Sequence, residues 1–261
     1  VTAPEREDPA HVLRGKVALV TGAGSGIGEA VARRVAARGG HVVVADIDAG
    51  NGRRVADAVG GLFVHTDVAD PDANAAAVAA AVERHGRLDI AHLNAGTGAG
   101  TPGPGAELDV EAHRRGVRVN LDGVVFGAHA AAPALRAAGG GAILVTSSLA
   151  GLIAAPGNVT YAATKHAAIG VVRALALSLA EDGTTVNALC PGFVDTPMVR
   201  PLLPALAERG GTIELLTPDQ VADAAEHVIA GGGTGAAWVL TAGAPPAMTC
   251  SAASATWSGV R

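Results

Sequence analysis

Short apolar runs alternate along most of this chain with longer stretches whose apolar residues recur at helical spacing. Residues 16–20 (KVALV) form the first run, followed by 42–45, 62–64, 88–93, 142–146, 184–189 and 236–241. Runs this short and this apolar read as strands buried on both faces. Between them lie helical patterns. Ile27, Ala30, Val31 and Val35 share a face that stops at Gly39-Gly40, and further patterns cover about 70–85, 106–119, 121–138 and 161–180. A short helix is expected around 197–209. Thr217-Pro218-Asp219-Gln220 reads as an N-cap with proline at the first helical position, opening a helix to about Ile229. Such strict alternation predicts an α/β fold with a parallel sheet covered on both faces.

No linker interrupts the pattern. One domain is therefore expected over residues 16–243, with a polar leader at 1–15, a candidate substrate lid at about 191–216 and a tail without a clear element at 244–261. The lid segment carries Phe193, Met198, Val199, Leu202, Leu203 and Leu206, which suit either closure over an apolar alcohol or ketone or the packing of a short helix.

Composition narrows the partners. Hydrophobic residues make up 49% and charged residues 16%, enough for a large core, and the net charge of −5 argues against nucleic acid or an anionic membrane. Cys190 and Cys250 form no metal-ligand or CxxC spacing, and the histidines show no HExxH pair, so no metal is expected. No signal-like stretch and no run of about 20 apolar residues is visible, which predicts a cytoplasmic protein without a membrane anchor.

The candidate chemistry sits at the strand ends. After the first strand comes Thr21-Gly22-Ala23-Gly24-Ser25-Gly26-Ile27-Gly28, a glycine turn opening a helix. Such a turn brings backbone amides and a helix N-terminus to a pyrophosphate. Asp46 ends the second strand, where an acid accepts hydrogen bonds from an adenosine ribose and repels a 2′-phosphate. Neither Ser25 nor Ile47 beside it is basic, so NAD is expected rather than NADP. Asp67, at the end of the third strand, suits either an adenine neighbour or a turn before Pro71. Asn94-Ala95-Gly96 closes the fourth strand at the edge where ligands bind, or is a plain turn. Ser147-Ser148 follows the fifth strand, and Tyr161 and Lys165 stand at i and i+4 on the next helix. A lysine ammonium beside a phenol pulls its pKa down from about 10, which makes this pair a candidate for proton transfer.

Taken together, these residues resemble the short-chain dehydrogenase/reductase family. The resemblance runs from about Lys16 to Thr241. It is carried by TGxxxGxG at 21–28, the Asn94–Gly96 turn, Asn120, Ser148 thirteen residues before Tyr161, YxxxK at 161–165 and the Pro191-Gly192 turn. It implies a single-domain Rossmann fold, a seven-stranded parallel sheet in the order 3-2-1-4-5-6-7, and hydride transfer between NAD(H) and a secondary alcohol or ketone. Tyr161 would be the general acid/base, Lys165 would lower its pKa and hold the nicotinamide ribose, and Ser148 would steady the substrate oxygen. Asn120 would position a water that links Lys165 to solvent. Val194 and Thr196 would hold the carboxamide, while Ile27 and Val68 would supply backbone contacts to pyrophosphate and adenine. Ser147 is expected to be structural and His166 peripheral.

The stretches around Ser147, Tyr161 and Cys190 look closer to the branch containing 15-hydroxyprostaglandin dehydrogenase. A homo-oligomer, dimer or tetramer, is implied. The alternative is an NAD(H)-binding regulator of the same fold that no longer turns over, which would be expected to have lost Tyr161, Lys165 or Ser148.

Overall fold

The computed structural model describes residues 12–101, 107–155, 157–208 and 214–249. Strands β1 (Val17–Thr21), β2 (His41–Asp46), β3 (Leu62–His65), β4 (Ile90–Leu93), β5 (Gly141–Thr146), β6 (Thr184–Pro191) and β7 (Ala237–Leu240) pair in parallel in the expected order. An eighth strand corrects the seven-stranded expectation. β8 (Ala247–Met248) pairs antiparallel with β7 through Trp238 and Val239, so the tail that showed no element supplies a sheet edge. Two residues are too few for periodicity to announce.

Helices cover both faces. On one side α3 (Pro71–His85), α5 (Gly123–Ala137) and α6 (Val159–Ser178) pack against Leu19, Val43, Leu93, Ile143 and Val145. On the other α1 (Gly26–Ala37), α2 (Ala49–Val59) and α8 (Pro218–Ala230) pack against Val20, Val42, Val44, Leu144 and Leu189. Alternate residues of each strand thus enter separate cores, which is why the strands read as unbroken apolar runs. Helix α8 starts as expected: Thr217 accepts from the Gln220 amide, and Gln220 reaches back to the Thr217 amide. Buried Glu226 of α8 receives Arg34 at 3.0 Å and Arg38 at 2.7 Å, tying α8 to α1.

Four further expectations change. Helix α2 carries two glycines and three alanines beside only two valines, so little apolar periodicity marks it; its cap is Asp48, which accepts from the amides of Gly50 and Asn51. The break expected at Asn120 is absent. α4 (Val110–Val117) continues into α5 through a π-helical turn, Arg118–Asp122, with Asn120 buried in it. The leader is partly core, since Leu13 is buried and Val12 packs beside it. Around 197–209 the helix is shorter than expected: a 3₁₀ turn, Arg200–Leu202, leads into α7 (Leu203–Ala207).

The strand order reverses between β1 and β4. Chains leaving β1 and β4 therefore diverge and open a crevice at their carboxyl ends.

Candidate active site

The crevice is built from two turns locked together. Beyond Thr21, Gly22 and Gly26 take positive φ (64° and 55°), and the chain enters α1 at Ser25. A Cβ on Gly28 would lie 2.3 Å from the Gly22 carbonyl oxygen, and one on Gly22 would lie 2.8 Å from Ala95 Cα. The glycines thus permit both the conformation and the close approach. The Thr21 hydroxyl accepts from the amides of Asn94 (2.9 Å) and Ala95 (3.1 Å), while Asn94 Nδ2 donates back to the Thr21 carbonyl at 2.9 Å. Asn94 is therefore neither a plain turn residue nor a free donor. It fastens β4 to the glycine turn.

One cleft of about 320 Å³ runs from Asp46, Ile47, Asp67 and Val68, past the glycine turn, to Ser148, Tyr161 and Lys165. All the sequence-predicted site residues line it except Gly28 and Asn120, which sit behind its wall. Asp46 is held in place: Oδ2 accepts from the Gly24 amide at 2.7 Å and Oδ1 from the Asp48 amide at 2.8 Å. Asp67 lines the cleft and also accepts from the Ala69 amide, the turn contact expected before Pro71. The first-turn amides of α1 point along the cleft without a side-chain cap at Ser25, the arrangement that receives an anion. The cradle thus fits a dinucleotide along its whole length.

At the other end, Asn158 caps α6 by accepting from the Tyr161 amide at 2.9 Å, and its Nδ2 donates to the Gly98 carbonyl at 2.9 Å. The helix that carries Tyr161 is thereby tied to the loop that forms the opposite wall. Tyr161 and Lys165 share a face, with Nζ 5.6 Å from the ring centre. The ammonium is not directed at the phenol, however. It donates to the Thr146 carbonyl at 2.9 Å, and burial brings its pKa down to about 8. Burial likewise raises the Tyr161 phenol, opposed only by the nearby Ser148 hydroxyl. In this geometry desolvation is the larger influence on the phenol, with the Lys165 ammonium 5.6 Å from the ring centre.

Ser148 Oγ accepts from the Ala150 amide at 3.1 Å, which leaves its proton free to donate into the cleft. Ser147 lines the cleft too, but its hydroxyl donates to the Lys165 carbonyl and braces α6. Asn120 accepts from the Thr97 amide at 2.8 Å and donates to the Thr97 carbonyl and to Thr164. Gly96 stands between it and Lys165, since a Cβ there would lie 3.4 Å from Asn120 Oδ1 and 3.5 Å from Nζ.

The Pro191-Gly192 turn is pinned to β7, with the Gly192 amide donating to Leu240. Val194 is buried and pairs with Leu216 in an isolated bridge outside the sheet, so the start of the candidate lid is tied to its far end rather than a free flap. Residues 209–213 of that segment lie outside the described residues. His166 is exposed, as expected. Cys190 is buried, its thiol pushed up to about 11, while Cys250 lies outside the described residues. Among the described residues no three of His, Cys, Asp or Glu converge as a metal site.

Sequence reasoning missed the threonines and one histidine. Thr21, Thr97 and Thr146 each hold a loop of the site, yet nothing in their spacing distinguishes them from other threonines. His92 is fully buried in β4. Thr146 Oγ1 donates its one proton to Asn94 Oδ1 at 3.0 Å, so it must accept from His92 Nε2–H at 2.9 Å. Nδ1 then has no partner among the described residues. The ring is a neutral donor at the base of the clasp, and burial depresses its pKa to about 3.

A parallel sheet with a glycine turn at its switch point and a serine, tyrosine and lysine at the far end of the same cleft defines a nicotinamide-dependent oxidoreductase. The chain belongs to the short chain dehydrogenase family, which it matches over residues 16–207. It is 42% identical over 189 residues to cyclohexanol dehydrogenase of Acinetobacter sp. (strain SE19), covering 70% of this chain and 75% of that one. It is 40% identical over 198 residues to trans-4-hydroxycyclohexanecarboxylate dehydrogenase of Sinomonas cyclohexanicum, covering 72% and 75%. The crystal structure of 3-ketoacyl-(acyl-carrier-protein) reductase from Brucella melitensis complexed with NADH superposes with a TM-score of 0.81 at 34% identity, covering 88% of this chain and 98% of that one. The protein exchanges hydride between a nicotinamide cofactor and a CH–OH group, and the idle alternative has no support: Ser148, Tyr161 and Lys165 all face the cleft.

His92 yields a pH prediction. Its folded pKa, about 3, lies below the ordinary 6.5, so the unfolded chain takes up the proton first as pH falls. Stability from this group is complete above about pH 6.5 and declines by about 1.4 kcal/mol per unit down to about pH 3. Urea unfolding at pH 7 and pH 4.5 should show roughly 2–3 kcal/mol more acid loss in the native chain than in His92→Gln, which keeps a donor for Thr146 but does not titrate. Equal losses would mean that His92 is not the titrating group.

Proposed function

We propose that this enzyme oxidises an alicyclic secondary alcohol with NAD, Tyr161 exchanging the hydroxyl proton. The observation that carries the reading is the single cleft joining Asp46 at one end to Ser148, Tyr161 and Lys165 at the other. NAD, when bound, supplies the hydride acceptor. The chain's own residues do the rest. The Ser148 proton steadies the substrate oxygen. Tyr161, a neutral phenol at rest, is set to donate in the ketone direction. In the alcohol direction it must first lose its proton, and the Lys165 ammonium, which keeps protons beyond the one given to the Thr146 carbonyl, is placed to stabilise the phenolate. Burial weakens the hold of Lys165 on its proton, so a phenolate beside it offers a partner that offsets the lost solvation.

Asn120 acts as a positioning residue, setting Thr97 and Thr164 around Lys165. With both Nδ2 protons used, a water shared with Lys165 would rest on the remaining lone pair of Oδ1 or on the backbone. Val194 and Thr196 line the far wall, where a nicotinamide carboxamide would lie, and Ile27 and Val68 border the pyrophosphate and adenine ends. The substrate wall, Thr97, Pro197, Met198 and Val199, is aliphatic and includes an adaptable methionine. It suits a saturated ring better than a flat aromatic one. The two relatives named for cyclohexane-ring alcohols support the same class.

Asp46 favours NAD. Its carboxylate is fixed by two backbone amides at the ribose end and would oppose a 2′-phosphate. We also read the protein as a cytoplasmic homo-oligomer. The cysteine usage suits a reducing compartment, and the outer face of α6 leaves Ala163, Gly170, Ala174 and Leu177 exposed as an apolar stripe. No helix among the described residues is long and apolar enough to cross a membrane.

Four outcomes are expected. With NAD and a panel of alcohols, absorbance of NADH should rise fastest on ring alcohols. Tyr161→Phe should cut that rate by about 10²–10⁴-fold while NADH still binds; a variant that keeps most of its activity would remove Tyr161 from the role. Fluorescence titration should show NADH binding about two orders of magnitude more tightly than NADPH, with Asp46→Ala narrowing the gap; equal affinities in the native chain would refute the assignment. Light scattering should return a mass of at least two chains, and a monomer mass at micromolar concentration would exclude the oligomer.

A further inference from the structure

We propose that Glu29 is a positioning residue for cofactor choice, because it holds Arg54 away from the site where a 2′-phosphate would lie. The inference rests on the reading of Asp46 as the ribose acceptor. Arg54, on α2, is the guanidinium next to that end of the cleft. It makes a two-point pair with Glu29 of α1, Nη1 to Oε1 at 2.9 Å and Nη2 to Oε2 at 2.7 Å. Nη2 also donates to the Gly24 carbonyl at 3.0 Å. The amide of that same Gly24 donates to Asp46 Oδ2 at 2.7 Å. A single residue of backbone therefore separates a guanidinium from the carboxylate that discriminates against phosphate.

Arginine is always charged and its planar fork fits phosphate oxygens as well as a carboxylate. Left free on this half-exposed side chain, it would supply the attraction that Ser25 and Ile47 do not. Glu29 prevents this in two ways. It satisfies both terminal nitrogens in a fixed geometry, and it adds negative charge behind the glycine turn. The Glu29 side chain is only 20% exposed and also receives Arg33 at 2.8 Å, so its carboxyl is held down to about 2 and stays ionised. Arg33 lies one helical turn further from the cleft, and Arg53 stacks over Phe63. Arg54 is thus the one of the three placed to reach the ribose. Asp46 repels the phosphate, and Glu29 withholds the cation that would compensate.

Equilibrium titration with NADH and NADPH in four variants separates this idea from the assignment of Asp46. Asp46→Ala alone reports on the acceptor; if it leaves the NADH preference untouched, the ribose reading fails. Adding Glu29→Gln to Asp46→Ala should strengthen NADPH binding a further tenfold or more while moving NADH less than threefold. Adding Arg54→Met to that pair should remove the gain, whereas adding Arg33→Met should not. NADPH affinity unchanged on Glu29→Gln in a variant that still binds NADH overturns the proposal, as does a gain that survives the loss of Arg54. Should Asp46→Ala fail to bind either dinucleotide, Asp46→Ser serves as the background.

Discussion

The site depends on one clasp, the exchange of hydrogen bonds between Thr21 at the end of β1 and Asn94 at the end of β4. These two strands are neighbours in the sheet although five elements separate them in the chain, and the crevice opens where they part. A crevice between diverging loops would be a loose one without a cross-tie. The Asn94 amide spends its donors on the carbonyls of Thr21 and Gly22, and its oxygen accepts from Thr146 of β5. Three adjacent strand ends are thereby held as one rigid floor. Because the same amide crowds Gly28 within 2.7 Å of where a Cβ would stand, the floor also dictates where glycine is required.

Thr146 connects that floor to the proton-transfer end. Its hydroxyl serves Asn94, its carbonyl accepts from Lys165, and behind it the His92 ring donates to the same hydroxyl. Burial makes each of these contacts count for more than it would in water, and it also sets their protonation. It keeps His92 neutral and Tyr161 a phenol, and it leaves Lys165 with a weakened hold on its proton. The resting site is therefore one in which charge is scarce, and the group that gains most from a nearby negative charge is Lys165. On the proposed role of Tyr161, that is where a phenolate formed during turnover would find its partner.

The sheet was legible because a strand buried on both faces must be apolar at every position, and the chain offers seven such runs. What escaped notice lacked that constraint. Helix α2 buries only Gly52, Val55 and Ala56 and is rich in glycine, so its cap at Asp48 marks it better than its pattern does. The π turn at Arg118–Asp122 keeps helical spacing nearly intact, and a polar residue in its middle, Asn120, looks from sequence alone like a break. In the site, residues that present rare chemistry were found, and residues that present common chemistry in a special place were not. Tyr161 is the only tyrosine in the chain, whereas Thr21 and Thr146 are ordinary threonines until the sheet brings them beside Asn94. The direction of the Lys165 ammonium was also beyond sequence reasoning, since i, i+4 spacing puts two side chains on one face without saying what else the longer one can reach.

Helix α1 shows the electrostatic side of the same economy. Its arginines are engaged with carboxylates: Arg33 with Glu29, and Arg34 and Arg38 with Glu226. Arg54, which approaches from α2, is held by Glu29 as well. What remains to receive a pyrophosphate is the backbone itself, the amides of the glycine turn and the first turn of α1. Backbone donors point in one direction and serve a group at one place, while a free arginine would serve phosphate anywhere within its reach. On the proposed reading of Asp46, selection by a single carboxylate would work only in such surroundings. A carboxylate can reject a phosphate only as strongly as its neighbours refrain from welcoming it, so on that reading the pairing of distant-looking surface charges on α1 and α2 would belong to the cofactor site as much as the glycines do.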